Sequence, residues 1–177
     1  IFAMEVVIME YTVIGFTPVI LAAVSSATLT RMLFGDDTAF SVPAMASGAL
    51  IELPVIALLG ALVGCLAAAF IQLTLVTNSV LGSQPIWLRM FGAGLFTGLI
   101  AYFLPAIMGT GYETINSLLA AQFGLALIIA LVVAKLLATA VSIGLGMPAG
   151  LIGPTLFIGA SAGAAIGVVM AAFGWST

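Results

Sequence analysis

Gly144-Leu145-Gly146-Met147-Pro148-Ala149-Gly150-Leu151-Ile152-Gly153-Pro154 interrupts an otherwise apolar stretch that runs from Phe123 to Phe173. Three glycines and a proline within seven residues, Gly144 to Gly150, cannot continue a regular helix. The apolar run before the break, Phe123 to Ser142, and the one after it, Leu151 to Phe173, are each of the length that crosses a bilayer, about 20 residues. Hydrocarbon offers no water to irregular backbone. Such a break is tolerated at membrane depth only where it is packed in protein or lines a polar cavity. Taken as the first turn of a new helix, Gly150 to Pro154 presents N–H groups with no internal acceptor. The macrodipole adds roughly half a positive charge at that end. Pro154 suits a first turn, and Gly150 and Gly153 leave room for close approach to the backbone. No carboxylate lies between Glu113 and Gly150 to cap these donors. Neutral amides hold an anion without the grip of a fixed Lys or Arg, which suits a site the ion must also leave. An ordinary turn between two antiparallel spans would use the same glycines and prolines, and local physics alone does not separate the two readings.

Outward from this break, the chain is membrane-like throughout. Of its 177 residues 64% are hydrophobic and 5% charged, whereas a soluble domain carries about 25% charged residues. The expected spans run from about Tyr11 to Phe34, Leu53 to about Val80, Ile86 to about Leu104, Phe123 to Ser142 and Leu151 to Phe173. Gly35-Asp36-Asp37, Gly82-Ser83-Gln84-Pro85 and Pro105 punctuate them. Pro54 fits a first-turn position. The second run is long enough that it must tilt or protrude. Trp87 and Arg89 suit an interfacial start of the third. Thr38 to Gly48 reads as a loop or short half-inserted element, and Thr114 to Ala121 is too short to cross. The start, Ile-Phe-Ala-Met-Glu, has no signal-peptide pattern and reads as a chain entered midway. The positive-inside rule leaves the orientation undecided, since Arg31 and Arg89 fall on opposite sides.

Several function classes are excluded. The chain has no His, and its carboxylates are dispersed apart from Asp36-Asp37, so a metal cluster or an enzyme centre has little raw material. Three basic residues and a net charge of −3 give no nucleic-acid surface and no polybasic lipid patch. The eight methionines are scattered and read as packing. Cys65 reads as a small core residue. Spacings such as Gly60/Gly64, Gly94/Gly98, Gly159/Gly163 and Gly163/Gly167 fit close helix packing. Glu113 reads as an exposed acid at a helix N-terminus, and Glu5 and Glu10 as solvated interfacial acids. Lys135, inside a span, reads as a structurally paired cation whose partner the sequence does not name.

Three motifs in order then resemble one family. Gly146-Met-Pro-Ala-Gly-Leu-Ile-Gly-Pro-Thr-Leu-Phe-Ile-Gly-Ala160 resembles the Gly-x-Phe-x-Pro filter segment of the CLC chloride channels and proton-coupled chloride exchangers. Gly109-Thr-Gly-Tyr-Glu-Thr-Ile115 resembles their glycine-rich re-entry, and Phe2-Ala-Met-Glu-Val6 the end of a helix preceding a long interface span. The resemblance covers essentially the whole chain and implies an all-α polytopic membrane fold of tilted, broken helices. It implies that residues 1–177 are a fragment of the pore domain with no soluble domain, lacking the N-terminal filter segments and the last helices, and unable to conduct alone. The serine-bearing Gly-Ser-Gly-x-Pro segment, the Gly-x-Glu-x-Pro segment with its gating glutamate and the C-terminal tyrosine have no counterpart here. Ile152 stands where the family pattern has Phe, so a smaller aliphatic wall replaces an aromatic one.

By resemblance, the expected function is chloride permeation, with the anion bound at Gly150, Leu151, Ile152, Gly153 and Pro154 and contacted by the amides of Leu151 and Ile152. Alternatives are a proton-coupled exchanger or fluoride exporter on the same fold, or an unrelated secondary transporter built on broken helices. Val6 occupies the position of the exchangers' proton-passing glutamate, which favours a channel. No enzymatic activity, metal or cofactor is expected; chloride is the transported ligand. The expected setting is the plasma (cell inner) membrane, with lipid contacts, no nucleic-acid partner, and a homodimer formed along the first span.

Overall fold

The computed structural model describes residues 13–35, 53–148 and 150–172. Among them every regular element is helical: α1 Val13–Phe34, α2 Leu53–Leu81, α3 Ile86–Phe103, a 3₁₀ turn Pro105–Ile107, α4 Tyr112–Leu119, α5 Leu125–Gly144 and α6 Ile152–Ala172. Five of these helices are long and apolar enough to cross a membrane. The expected spans therefore match to within a few residues at each end. Expectations falling on Glu5, Val6, Glu10, Asp36-Asp37 and the whole of Thr38–Gly48 lie outside the described residues.

Two compact units divide the chain, Ile1–Ala39 and Phe40–Thr177. In the first, α1 ends at Gly35, whose N–H bonds to the Arg31 carbonyl at 3.0 Å and whose φ of +84° is the left-handed conformation of a helix stop. Pro18 lies inside α1, and the Thr28 hydroxyl satisfies the Val24 carbonyl at 2.8 Å.

In the second unit α5 is the central helix. It packs against α6, α2 and α3, and residues on several of its faces are buried. One core cluster joins Leu131, Ala134 and Ala138 of α5 to Ile107 of the 3₁₀ turn, Ile115 of α4 and Phe157 of α6. A second joins Val132 and Leu136 to Ile158 of α6, with Leu66, Phe70 and Leu73 of α2 against it. Small residues permit this proximity. At Gly144 an added Cβ would stand 2.7 Å from the Thr77 Cβ and 2.8 Å from the Thr74 carbonyl, so α2 and α5 touch backbone to backbone there.

α2, at 29 residues, has Thr77 as its one buried residue, while Leu58, Leu62, Ile71, Leu75 and Val80 are exposed. Cys65 shares that exposure and is not the core residue expected from its neighbours. Its apolar surroundings in the sequence reflect an α2 that is apolar on every side, of which α5 and α6 cover only part.

Pro105 ends α3 by opening the 3₁₀ turn. The segment after it turns through Gly109 (φ +66°) and Gly111 (φ +79°), both left-handed, and α4 starts at Tyr112, two residues before the sequence expectation. Glu113 is exposed in its first turn, where the helix dipole favours an acid.

Candidate anion site

The break between α5 and α6 is built by two local rules. At its near end, Gly146 N–H bonds the Ile143 carbonyl at 2.8 Å and Met147 N–H bonds the Ser142 carbonyl at 3.0 Å. This pair is the Schellman closure, which needs a left-handed residue between them; Gly146, with φ +84°, supplies it. At its far end α6 begins at Ile152. The Leu151 carbonyl accepts the first helical bond, from Thr155 N–H at 3.0 Å. The Thr155 hydroxyl returns to the carbonyls of Leu151 and Ile152 at 2.8 and 3.0 Å and so offers no cap to the opening amides.

Among the described residues, no acceptor is found for the N–H groups of Leu151, Ile152 and Gly153. Leu151 and Ile152 are 45% and 57% exposed as residues. Gly150 is exposed, and Gly153 and Pro154 are half-buried. Pro154 is the third residue of α6, where its missing N–H breaks no bond. Behind this turn runs a helix of 21 residues, whose dipole favours negative charge at its start.

The structure brings this turn to the glycine-rich re-entry. A Cβ placed on Gly153 would meet the Thr110 carbonyl at 3.8 Å, and one on Gly111 would meet the Phe157 ring at 2.5 Å. A cavity of about 390 Å³ has Met147, Pro154, Ile107, Met108, Lys135, Thr97 and Ser142 in its lining. Two hydroxyls belong to that lining: Thr97 and Ser142 lie 3.0 Å apart, and Ser142 also donates to the Ala138 carbonyl at 2.7 Å.

Two basic side chains set the surrounding frame, and sequence reasoning found neither arrangement. Lys135 donates from Nζ to the carbonyls of Ile107 at 2.6 Å and Gly109 at 3.1 Å, and its ammonium lies 5.2 Å from the centroid of the Phe157 ring. Arg89, half-buried in the opening turns of α3, bonds two main-chain carbonyls. Its Nε donates to the Leu145 carbonyl at 2.9 Å and its Nη1 to that of Gly82 at 3.2 Å. The positive group thus sits on the C-terminal end of α5 and ties it to the turn between α2 and α3. The available signals were a lysine inside a span, which must find a partner, and a glycine at the α5 terminus, which leaves room for a guanidinium.

Residues 1–177 match the family model described as voltage gated chloride channel. Chloride channel protein CLC-f of Arabidopsis thaliana is 35% identical over 161 residues, covering 84% of this chain and 20% of that protein. The voltage-gated ClC-type chloride channel ClcB of Citrobacter koseri is 32% identical over 150 residues, 82% of this chain and 36% of ClcB. ClcB of Escherichia coli SMS-3-5 is 43% identical over 79 residues, 45% of this chain and 19% of ClcB. The chain thus spans well under half the length of these relatives. With its broken all-helical architecture and its match over every residue, the chain belongs to the voltage-gated chloride channel (CLC) family.

Proposed function

We propose that the protein containing this chain carries chloride across a membrane, and that the start of α6 supplies a backbone-amide site for the ion. The observation that carries this reading is the first turn at Leu151 and Ile152, heading a 21-residue helix, for whose amides no acceptor is found among the described residues. Such an end offers several convergent N–H donors and a favourable dipole while fixing no formal charge. A neutral site of this kind keeps binding weak enough for release. Membership of the family removes the unrelated secondary transporter from consideration.

Within the family, passive permeation is the preferred reading, because Val6 has no proton to transfer at the position where exchangers of the family carry a glutamate. On this reading residues 1–177 form part of a pore domain whose other filter segments come from elsewhere in the full-length protein. A homodimer along α1 completes the proposal. Ala22, Ala23, Ser25 and Thr28 give that helix the small side chains that allow a second helix to approach. The test is chloride efflux from liposomes containing the full-length protein, with a potassium ionophore to relieve the voltage. Efflux above that of protein-free liposomes is expected, and its absence refutes chloride transport.

A further inference from the structure

Lys135 is the only buried charged side chain among the described residues, 6% exposed in the middle of α5. The one carboxylate among those residues, Glu113, is exposed, and the groups bonded to Lys135 Nζ are neutral carbonyls. Taking a cation out of water costs several kcal/mol. A lysine kept at such a position performs a task that an apolar residue could not.

Its contacts identify the task. The carbonyls of Ile107 and Gly109 close the 3₁₀ turn and open the re-entrant segment, so Lys135 ties the two together. Ile107, Met108, Lys135 and Pro154 all line the same cavity. One residue further on, the Thr110 carbonyl lies beside Gly153 in the first turn of α6. Left unpaired, the carbonyls of Ile107 and Gly109 would place negative dipole ends next to a site that must attract an anion. The ammonium holds both, and Phe157, fully buried at 0% exposure, braces it from α6.

We infer that Lys135 is a positioning residue for the anion site. It fixes the segment from Ile107 to Gly111 against the start of α6, and it cancels the negative field of two carbonyls beside the cavity that Pro154 lines. This inference rests on the α6 start being the anion site. Because the compensating groups are dipoles and not a carboxylate, a net positive charge remains in a low-dielectric region near that site, and anion affinity depends on it.

The test is calorimetric titration of chloride into the detergent-solubilised full-length protein, with size-exclusion elution as the check on folding. Lys135→Arg keeps the charge and should bind chloride within a few-fold of the unsubstituted protein. Lys135→Met and Lys135→Gln should each bind at least ~10-fold more weakly, the scale of losing one nearby charge in a partly shielded interior. Lys135→Gln retains a donor for the carbonyls, so it decides the matter if the Met variant does not fold. Chloride affinity unchanged in a folded Gln or Met variant overturns the role of Lys135 alone. Failure of the unsubstituted protein to bind chloride overturns the anion site and this inference with it.

Discussion

The Phe157 ring occupies the space that a side chain on Gly111 would need: a Cβ built there would lie 2.5 Å from one ring carbon and 3.1 Å from the next. Gly111 also has φ +79°, a conformation that strains any residue with a Cβ. The re-entrant segment can therefore press on α6 only because this position is bare.

Gly111→Ala should destabilise the full-length protein by at least about 2 kcal/mol, combining left-handed strain with overpacking against a buried ring. Gly109→Ala is the matched control. Its φ of +66° is also left-handed, yet nothing lies within 4 Å of the added methyl, so it should cost only about 1–2 kcal/mol. Thermal unfolding in detergent checks the order; equal losses would show that the Phe157 contact contributes nothing.

Arg89→Lys should also destabilise, although the charge is kept. The guanidinium spans the carbonyls of Leu145 and Gly82 from two different nitrogens, Nε and Nη1, a fork that a single ammonium does not reproduce. Loss of one charge-assisted bond corresponds to about 1.5–3 kcal/mol. A lower midpoint of thermal unfolding for Arg89→Lys is the expected result, and an unchanged midpoint would mean that the α5 terminus is held by its Schellman closure alone.

Much of this arrangement was legible in the sequence, for a physical reason. Breaks in a membrane chain must be made by glycine and proline, so Pro105, Gly144 to Gly150 and Pro154 announce the ends of α3, α5 and the start of α6 before any packing is known. The partners of Lys135 were not legible. They are main-chain carbonyls 28 and 26 residues away, and every residue type carries a carbonyl. The partners of Arg89 were not legible either, since they too are main-chain carbonyls, one of them 56 residues away at the end of α5. Cys65 was misjudged because an apolar neighbourhood in sequence does not distinguish a protein core from a surface that faces lipid.

Proton coupling offers an independent prediction. On the proposed reading, in which Val6 stands at the exchangers' glutamate position, a full-length protein in liposomes should give a chloride reversal potential that does not move with pH. External pH should stay flat while chloride runs down its gradient. A reversal potential displaced by pH, or uphill proton movement driven by chloride, would make the exchanger reading correct and would point to Glu5 as a substitute acid.

On the proposed function, an anion sits at the start of α6 on the amides of Leu151 and Ile152. Bromide replaces chloride chemically and scatters anomalously, so crystals of the full-length protein grown in bromide report its position directly. An anomalous peak is expected within hydrogen-bonding reach of the Leu151 and Ile152 nitrogens, on the side of Gly150 and Gly153. Bromide peaks elsewhere in the protein with none at this turn would contradict it.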